Sequence, residues 1–523
     1  MAAMRLATDL PDDPDALRAM IRAQEEERRA LAEQVVTLKT AGAEAEAEIA
    51  RLTAIITAFQ RHRFGARSEK IADQLELALE ELDAALGRVQ AKLEAATHGA
   101  GGSRPRQTNR GSLPRQLERI EQIIDIEDKV CACCGGALHV IGEEVVERLD
   151  IVPATFRVLV TRRPRYGCRA CEGAVVQAPA PPHIIESGMP TEALVAHVLV
   201  AKYADHLPLY RQAQIYARQG VHLDRSTLAD WVGRAAWWLT PLRDHLLDQL
   251  KRSAKLFADE TTAPVLDPGR GRTKVGQLWA YARDDRPWSG TDPPAVAYVY
   301  ASDRKASRPI EHLAGFKGTL QVDGYPGYAA LARRGDVQLA FCWAHVRRGF
   351  FELAATSPIA TEALARIAAL YAIEAEVRGQ PPERRRAVRQ EKSRPAIDEL
   401  HRFLDAKLAQ ISRKSKLAEV IRYAHTRWEG LTRFLDDGRI ELDSNTVERA
   451  IRPITLNRKN ALFAGSDDGG DHWAVIASMI ETCKLSGGDP QASLTDTLKR
   501  LAAGHSNLRR DQLMPWNHTP AVA

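Results

Sequence analysis

The sequence predicts a multidomain protein in which an N-terminal α-helical coiled coil and a small metal-binding β module precede a helical region and an α/β core. Three observations predict this order: a heptad pattern, then two Cys-x-x-Cys pairs, then β-prone runs that alternate with helical segments. At 523 residues the chain is long enough for several domains. We predict residues 1–97 (coiled coil), 98–120 (linker), 121–185 (metal-binding module), 186–252 (helical region), 253–350 with 436–485 (α/β core), 351–435 (helical insertion in the core) and 486–523 (C-terminal tail).

The composition favours a cytosolic protein, and its charge alone does not identify a partner. Apolar residues make up 45% of the chain, yet no apolar run is long enough to span a membrane, and the N-terminus lacks the apolar core of a signal peptide. The net charge is only +5, but basic residues are clustered at 157–169, 384–394 and 413–416. Such clusters suit a polyanion, although a solvated helix face has the same composition.

The N-terminal region has the apolar spacing of a coiled coil. Steps of four and three residues run from Leu17 to Phe59 and resume from Leu75 to Leu93. We expect this seam to hold protomers together. The alternative is two amphipathic helices that pack on each other or on the body of the protein. A linker rich in Gly, Pro and Arg follows.

Clustered cysteines predict a zinc site. In a cytosolic chain, paired Cys-x-x-Cys motifs favour a metal over disulfides. Four thiolates in two pairs fill one closed tetrahedral site, so the zinc is expected to be structural. The alternating residues 156–160 between the pairs could form strands, and Cys133 is expected not to be a ligand, although it could replace its neighbour. The predicted zinc ligands are Cys131, Cys134, Cys168 and Cys171.

A helix, a Gly-bearing turn and a second helix are predicted at residues 209–218, 219–221 and 225–237. This arrangement is typical of a helix-turn-helix motif, in which the start of the second helix contacts DNA. A packing role for the two helices is an equally good interpretation. The candidate DNA-binding residues are Arg225, Ser226 and Thr227.

The α/β core is predicted from the order of its elements. Three strands, a helix, a strand, a helix and a further strand are the order of a ribonuclease-H-like core, and a charged helical block until about Asp436 would be an insertion in it. We interpret the acidic cluster at 467–471 as a loop and not a metal site. The predicted strands are residues 256–258, 277–282, 295–300, 320–322 and 337–341, and the predicted helices are 309–316 and 328–333.

Three carboxylates lie where they could share a metal. Asp259 and Asp323 each follow a short apolar strand, and Glu448 falls in the first turn of a helix that Ser444 or Asn445 would cap. Hard oxygen ligands suit Mg²⁺, and two such ions can flank a phosphodiester. Taken alone, Asp323 is better explained as the first residue of a turn, and only the presence of the other two acids favours a metal site.

Several motifs occur together along nearly the whole chain. They are the heptad N-terminus with residues 64–70, the paired cysteines, and residues 257–261, 322–325, 342–345 and 445–453. Together they resemble the transposases of the insertion-sequence-66 type, which are Asp-Asp-Glu transposases. The resemblance implies a catalytic triad of Asp259, Asp323 and Glu448 that uses Mg²⁺ or Mn²⁺ to cleave DNA at the ends of the element and to join the freed 3′ hydroxyl to target DNA.

Further roles follow as expectations from this resemblance. His345 and Arg449 are candidate phosphate-positioning residues. Cys342 and His345 could also supply two of the four ligands of another zinc site. The expected partners are double-stranded DNA (the terminal repeats and the target), a second copy of the chain and accessory proteins of the same element, at the nucleoid. Two alternatives remain: a zinc-containing, coiled-coil DNA-binding regulator without catalysis, and a metal-dependent nuclease that cuts without joining strands.

Overall fold

A computed structural model describes the chain in part. It covers scattered positions between 13 and 29, residues 119–121, 123 and 137, and then residues 154–166, 176–185, 188–267 and 272–518. The chain divides into two units, residues 1–152 and 153–523. In the first unit, the described positions between 14 and 29 are helical. The rest of the predicted coiled-coil seam and all four predicted zinc ligands lie outside the described residues.

Two short strands belong to the predicted metal-binding module. Strand β1 (Arg165–Tyr166) pairs antiparallel with strand β2 (Val176–Gln177). The prediction of strands at residues 156–160 is wrong, because residues 154–164 have no strand structure. Val158 in this segment is 88% exposed, and no described residue pairs with its backbone to form a ladder.

Three helices follow at the places where the sequence predicts helical structure. Helix α1 (Glu192–Tyr203) and helix α2 (Leu209–Ala217) precede a turn at Gly220, whose φ of +78° is a conformation that favours glycine. Helix α3 (Arg225–Leu250) continues well beyond the predicted end at residue 237. The reason is its buried face, which recurs at helical spacing through Leu239, Leu242 and Leu246 and packs into the main core.

A five-stranded mixed sheet forms the centre of the second unit. Its strands are β3 (Lys255–Asp267), β4 (Arg272–Arg283), β5 (Ala295–Ala301), β6 (Gly318–Val322) and β7 (Val337–Phe341). Their order in the sheet is β5-β4-β3-β6-β7. Strand β3 pairs antiparallel with β4 and parallel with β6, β4 pairs antiparallel with β5, and β6 pairs parallel with β7. All five predicted strands are present; the first two extend well beyond their predicted bounds, and the third and fourth extend by one or two residues.

Short helices connect the parallel strands, and a helical block follows the last one. The predicted helices at 309–316 and 328–333 are present with shifted bounds as α4 (Ser307–His312) and α5 (Gly327–Ala332). The block after β7 has its own apolar core, which includes Trp343, Ile367, Leu400 and Ile421. The helices are α4 (Ser307–His312), α5 (Gly327–Ala332), α6 (Trp343–Phe351), α7 (Pro358–Val377), α8 (Pro382–Val388), α9 (Arg394–Gln410), α10 (Lys416–His425) and α11 (Trp428–Thr432).

The basic cluster at 384–394 is partly a core feature and not a surface patch. The side chains of Arg385 and Arg389 are 1% and 0% exposed. Both guanidinium groups donate to the Glu374 carboxylate, and Arg389 also donates to the backbone carbonyls of Phe434 and Ile440. Buried arginines of this kind hold the helical block to the segment that leads back to the sheet.

Three more helices complete the unit: α12 (Asn445–Ala461), α13 (Asp467–Leu485) and α14 (Pro490–Ala502). Helix α12 packs on β3, α13 covers β5, and α14 packs on α1. Among the helices that the structure describes, none combines the length and the apolar character needed to cross a membrane.

The interpretation of residues 467–471 as a loop is wrong, because they form the first turn of α13. The Ser466 hydroxyl caps this helix by accepting from the Gly469 amide, and acidic residues are favourable at a helix N-terminus. Asp467 accepts hydrogen bonds from Lys274 and Tyr300. A side chain at Gly470 would meet the Tyr300 ring at 2.7 Å, so the glycine permits close packing on β5.

Candidate active site

The first two acids lie next to each other on neighbouring parallel strands. The last paired residues of β3 and β6 are Phe257 and Gln321, and Asp259 and Asp323 each lie two residues beyond this pair. Asp323 directly follows β6, as predicted. Asp259 is not at a strand end, because β3 continues to Asp267 while it pairs with β4 alone. The two carboxylates therefore meet where the parallel ladder ends.

Glu448 reaches the same place from helix α12. A buried glutamine on β6, Gln321, fixes the segment that leads into this helix: its Nε2 donates to the carbonyls of Glu441 (2.7 Å) and Asp443 (3.0 Å), and its Oε1 accepts from the Glu441 amide (3.2 Å). Ser444 occupies the N-cap position, and its hydroxyl donates to Glu448 at 3.1 Å. The third acid is thus tied to the strand that carries the second.

Further contacts fix α12 against the sheet. The Tyr298 hydroxyl on β5 donates to the Ala450 carbonyl at 2.5 Å. At the other end of the helix, the Arg458 guanidinium donates to the hydroxyl and the carbonyl of Thr262 on β3. Contacts at both ends leave little freedom for the helix to rotate, so Glu448 is held on the side of the sheet where Asp259 lies.

The carboxyl of Asp259 is buried beside other acids. Burial raises the pKa of Asp259 well above its ordinary value, and the negative charges of Asp323, Glu260 and Glu448 raise it further. The amide of Glu260 donates to the Asp259 carboxylate at 2.8 Å, which opposes part of this shift. Asp323 accepts from the Tyr325 amide at 2.8 Å. Each aspartate therefore receives a local backbone hydrogen bond, and neither bond neutralises a charge.

This donor set fits a divalent cation. Among the described residues, no lysine, arginine or histidine lies within ion-pair distance of Asp259 or Asp323. Carboxylate oxygens crowded in this way are costly to keep ionised without a counter-charge, and they are the ligands that Mg²⁺ and Mn²⁺ prefer. Asp259, Asp323 and Glu448 are the residues that could hold such an ion.

His345 and Cys342 lie beside Glu448. His345 Nδ1 is 3.9 Å from Glu448 Oε1, and this nitrogen is buried without a hydrogen-bond partner. The ligand atoms of Cys342, His345 and Glu448 all lie within 4.8 Å of one another. The Cys342 thiol is buried next to Glu448, and burial raises its pKa to about 12, so it stays protonated unless a metal binds.

The other predicted contact residues lie on exposed surfaces. Arg449 is exposed on α12, and its charge acts on the Asp443 carboxyl, where it partly opposes the rise in pKa that burial causes. Arg225 and Ser226 are exposed and Thr227 is half-buried, all in the first turn of α3. These positions are accessible to a partner.

Sequence reasoning missed a second buried carboxylate at the site, that of Glu260. Its side chain is 1% exposed, and it is paired with the Arg304 guanidinium and accepts from the Tyr328 hydroxyl at 2.8 Å. The contrast with Asp259 is informative, because Glu260 has a basic partner and its neighbour has none. The sequence signal that could have revealed Glu260 is the acidic pair Asp259-Glu260 directly after the apolar run 256–258.

A second missed group comes from the helical block. The Tyr423 hydroxyl on α10 donates to the Asp323 carbonyl at 2.9 Å, and Arg427 Nη2 donates to the Gly324 carbonyl at 3.3 Å. The Arg427 guanidinium also lies over the Tyr423 ring, 3.9 Å from its centre. Helix α10 therefore holds the turn that presents Asp323. No sequence signal links residues that lie about a hundred positions apart.

Comparisons with known proteins cover most of the chain. The model of the Transposase IS66 family matches residues 187–472, that of the zinc-finger binding domain of transposase IS66 matches 128–172, that of the Transposase C of IS166 homeodomain matches 51–121, and that of the IS66 C-terminal element matches 478–516. The zinc-finger match spans all four predicted zinc ligands.

The chain also resembles full-length relatives from Sinorhizobium fredii (strain NBRC 101917 / NGR234). It is 48% identical to the uncharacterized protein y4qI over 536 aligned residues, which cover 98% of each chain. It is 48% identical to the uncharacterized protein y4jD, with 89% of this chain and 94% of the relative covered, and 40% identical to the uncharacterized protein y4hP, with 90% and 88% covered. Because a single family model matches more than half of the chain, and that match contains all three crowded acids, this protein belongs to the IS66 family of transposases.

Proposed function

We propose that this transposase cleaves DNA at the ends of an insertion sequence and joins the freed ends to target DNA, with Asp259, Asp323 and Glu448 as its catalytic carboxylates. The observation that carries the proposal is the meeting of these three acids at the end of the parallel ladder, where the two aspartates have no basic partner among the described residues. The strand order of the mixed sheet supports a ribonuclease-H-like core for this chemistry.

The chain's own residues would have separate tasks in this reaction. Asp259 and Asp323 would hold the cation from two adjacent strands, and Glu448 would complete the ligand set from α12. When bound, Mg²⁺ or Mn²⁺ supplies Lewis-acid activation of the attacking oxygen and charge stabilisation of the leaving 3′ oxygen. His345, beside Glu448, would donate to a phosphate oxygen of the bound strand, and Arg449 would contact the same strand from the exposed face of α12.

The remaining regions would bind and pair the DNA ends. The exposed first turn of α3, with Arg225, Ser226 and Thr227, would contact the terminal repeats. The zinc would be held by Cys131, Cys134, Cys168 and Cys171, and the N-terminal coiled coil would bring two protomers together so that both ends are cut in concert. This assembly would act at the nucleoid, with accessory proteins of the element if the ends require them.

A DNA cleavage and joining assay tests the proposal. The purified chain is given Mg²⁺ and labelled DNA carrying the repeats that flank its own gene. We expect Asp259→Asn, Asp323→Asn and Glu448→Gln each to abolish cleavage and joining while DNA binding is retained, because each change keeps the shape of the side chain and removes a charge that holds the cation. The matched control is Asp336→Asn, an exposed aspartate just before β7, which should remain active.

Three outcomes would contradict the proposal in different ways. Normal activity of Asp323→Asn would show that the acids are not the catalytic residues. DNA binding without any cleavage by the unmodified chain would favour a zinc-containing regulator. Cleavage without joining, with the 3′ end free and target DNA present, would favour a nuclease.

A further inference from the structure

A cluster of two histidines and one aspartate lies in the helical block, apart from the three crowded acids. His401 and Asp405 are one helical turn apart on α9, and His425 is the last residue of α10. One ligand atom of each residue lies within 4.8 Å of the other two. We infer that His401, Asp405 and His425 form a second zinc site in this protein. Two imidazoles and one carboxylate would bind the zinc ion there.

The distances between the ligand atoms fit the coordination sphere of zinc. His401 Nδ1 lies 3.0 Å from Asp405 Oδ2, and His425 Nε2 lies 3.5 Å from Asp405 Oδ1. With metal–ligand bonds of about 2.0–2.1 Å, neighbouring corners of a zinc tetrahedron are about 3.3 Å apart. Small side-chain rotations would bring all three atoms to one ion. The two imidazoles favour zinc over Mg²⁺, which prefers oxygen ligands.

A simple ion pair explains only part of this cluster. His401 and Asp405 at positions i and i+4 of a helix could pair without any metal. His425 does not fit that explanation, because its Nε2 is buried and makes no hydrogen bond although it faces the Asp405 carboxylate. A buried polar atom without a partner is costly, and a metal ion would satisfy it.

The surroundings suit an ion that stays in contact with solvent. The side chains of His401, Asp405 and His425 are 37%, 54% and 19% exposed, so the fourth coordination position can be taken by water. Trp428 covers the other side of the cluster, with its ring 4.4 Å from that of His401 and stacked at 6.0 Å on that of His425. Trp428 therefore closes one side of the cluster, and the other side is open to solvent.

An ion at this position would join α9 to α10 across the intervening loop. Helix α10 carries Tyr423, two residues before His425, and the Tyr423 hydroxyl donates to the Asp323 carbonyl. The second zinc site would therefore stabilise the helix that holds the Asp323 turn. Metal binding itself does not depend on the proposed function, and it can be measured without DNA.

Zinc content after equilibrium dialysis of the full chain tests the inference. We expect His425→Gln and Asp405→Asn each to retain about one zinc per chain less than the unmodified protein. His222→Gln, which removes an exposed histidine outside the cluster, should lose none. Circular dichroism checks that the variants are folded. Equal zinc contents in the unmodified chain and both cluster variants would overturn the second zinc site.

A second readout distinguishes this site from the cysteine site. Ni²⁺ is an imidazole-binding substitute for zinc that quenches indole emission at contact distance, and Trp428 touches two of the three ligands. Ni²⁺ should therefore quench part of the fluorescence of the unmodified chain, and this part should be missing in both Trp428→Phe and His425→Gln. Quenching of the same size in His425→Gln would contradict binding at the cluster.

Discussion

Replacing Gln321 by leucine should loosen the connection between the sheet and the helix that carries Glu448. The Gln321 side chain is fully buried and makes three hydrogen bonds, of 2.7, 3.0 and 3.2 Å, to the backbone of Glu441 and Asp443. Leucine has a similar size but offers no donor or acceptor, so two carbonyls and one amide lose their partner. An unsatisfied buried polar group costs about 1–3 kcal/mol, and partial access of water lowers the total. We expect the free energy of unfolding to fall by about 3 kcal/mol.

Urea unfolding followed by circular dichroism measures this loss as a lower midpoint at an unchanged slope. The matched control is Gln338→Leu on the neighbouring strand β7. Gln338 is exposed, and its Oε1 accepts a single hydrogen bond from Arg433, so the change should stay within about 0.5 kcal/mol. Equal midpoints for the two variants would refute the claim that Gln321 ties the Glu448 segment to the sheet.

Three further predictions concern pH, zinc and self-association. Burial, aided by Arg308 and Arg243, lowers the pKa of His312 from 6.5 to about 4, so the unfolded chain binds this proton first as the pH falls. Stability should therefore fall between pH 6.5 and 4 by up to about 3 kcal/mol more in the unmodified protein than in His312→Gln, as measured by urea unfolding at each pH. Cys168→Ser should lose about one zinc per chain by metal analysis, whereas Cys133→Ser should keep it, because four thiolates fill one tetrahedral site. Leu52→Lys should lower the mass measured by light scattering, because an ammonium in the predicted coiled-coil seam would have no partner.

Each of these predictions has an outcome that contradicts it. Parallel pH profiles for His312→Gln and the unmodified protein would mean that this imidazole does not resist protonation in the folded state. Zinc retained in Cys168→Ser would exclude the proposed four-cysteine site. An unchanged mass for Leu52→Lys would mean that the N-terminal helices pack on their own chain.

The order of strands and helices along the chain, and the acids that follow the apolar runs, could be predicted from the sequence because both depend on local patterns. A buried strand reads as a short apolar run, and an acid directly after it stands out, as Asp323 does. What could not be predicted depends on distant contacts. Strand β3 continues past Asp259 because β4 pairs with its polar second half, and helix α13 begins at Asp467 because Lys274 and Tyr300 bind that acid.

Charge was the least reliable signal in the sequence. The arginines at 385 and 389 resemble a surface patch in composition, yet the structure buries both against Glu374. Only the pairing of residues from different helices distinguishes a buried ion pair from an exposed cluster. The hydrogen bond from the Tyr423 hydroxyl to the Asp323 carbonyl could not be predicted for the same reason. It connects the helical insertion to the sheet, and neither local sequence indicates the contact.

Iron-directed cleavage of the protein tests the central claim, that Asp259, Asp323 and Glu448 surround one divalent-cation site. At such a site Fe²⁺ should take the place of Mg²⁺ and, with ascorbate and peroxide, generate radicals that cut only the nearby backbone. We predict fragments that end near all three acids, reduced by excess Mg²⁺ and lost together in Asp323→Asn. Iron bound at the second zinc site would cut the backbone near His401 and His425, and these cuts should still appear in Asp323→Asn. Cleavage near only one of the three acids would contradict a shared site, and so would cuts near Asp259 and Glu448 that remain in Asp323→Asn.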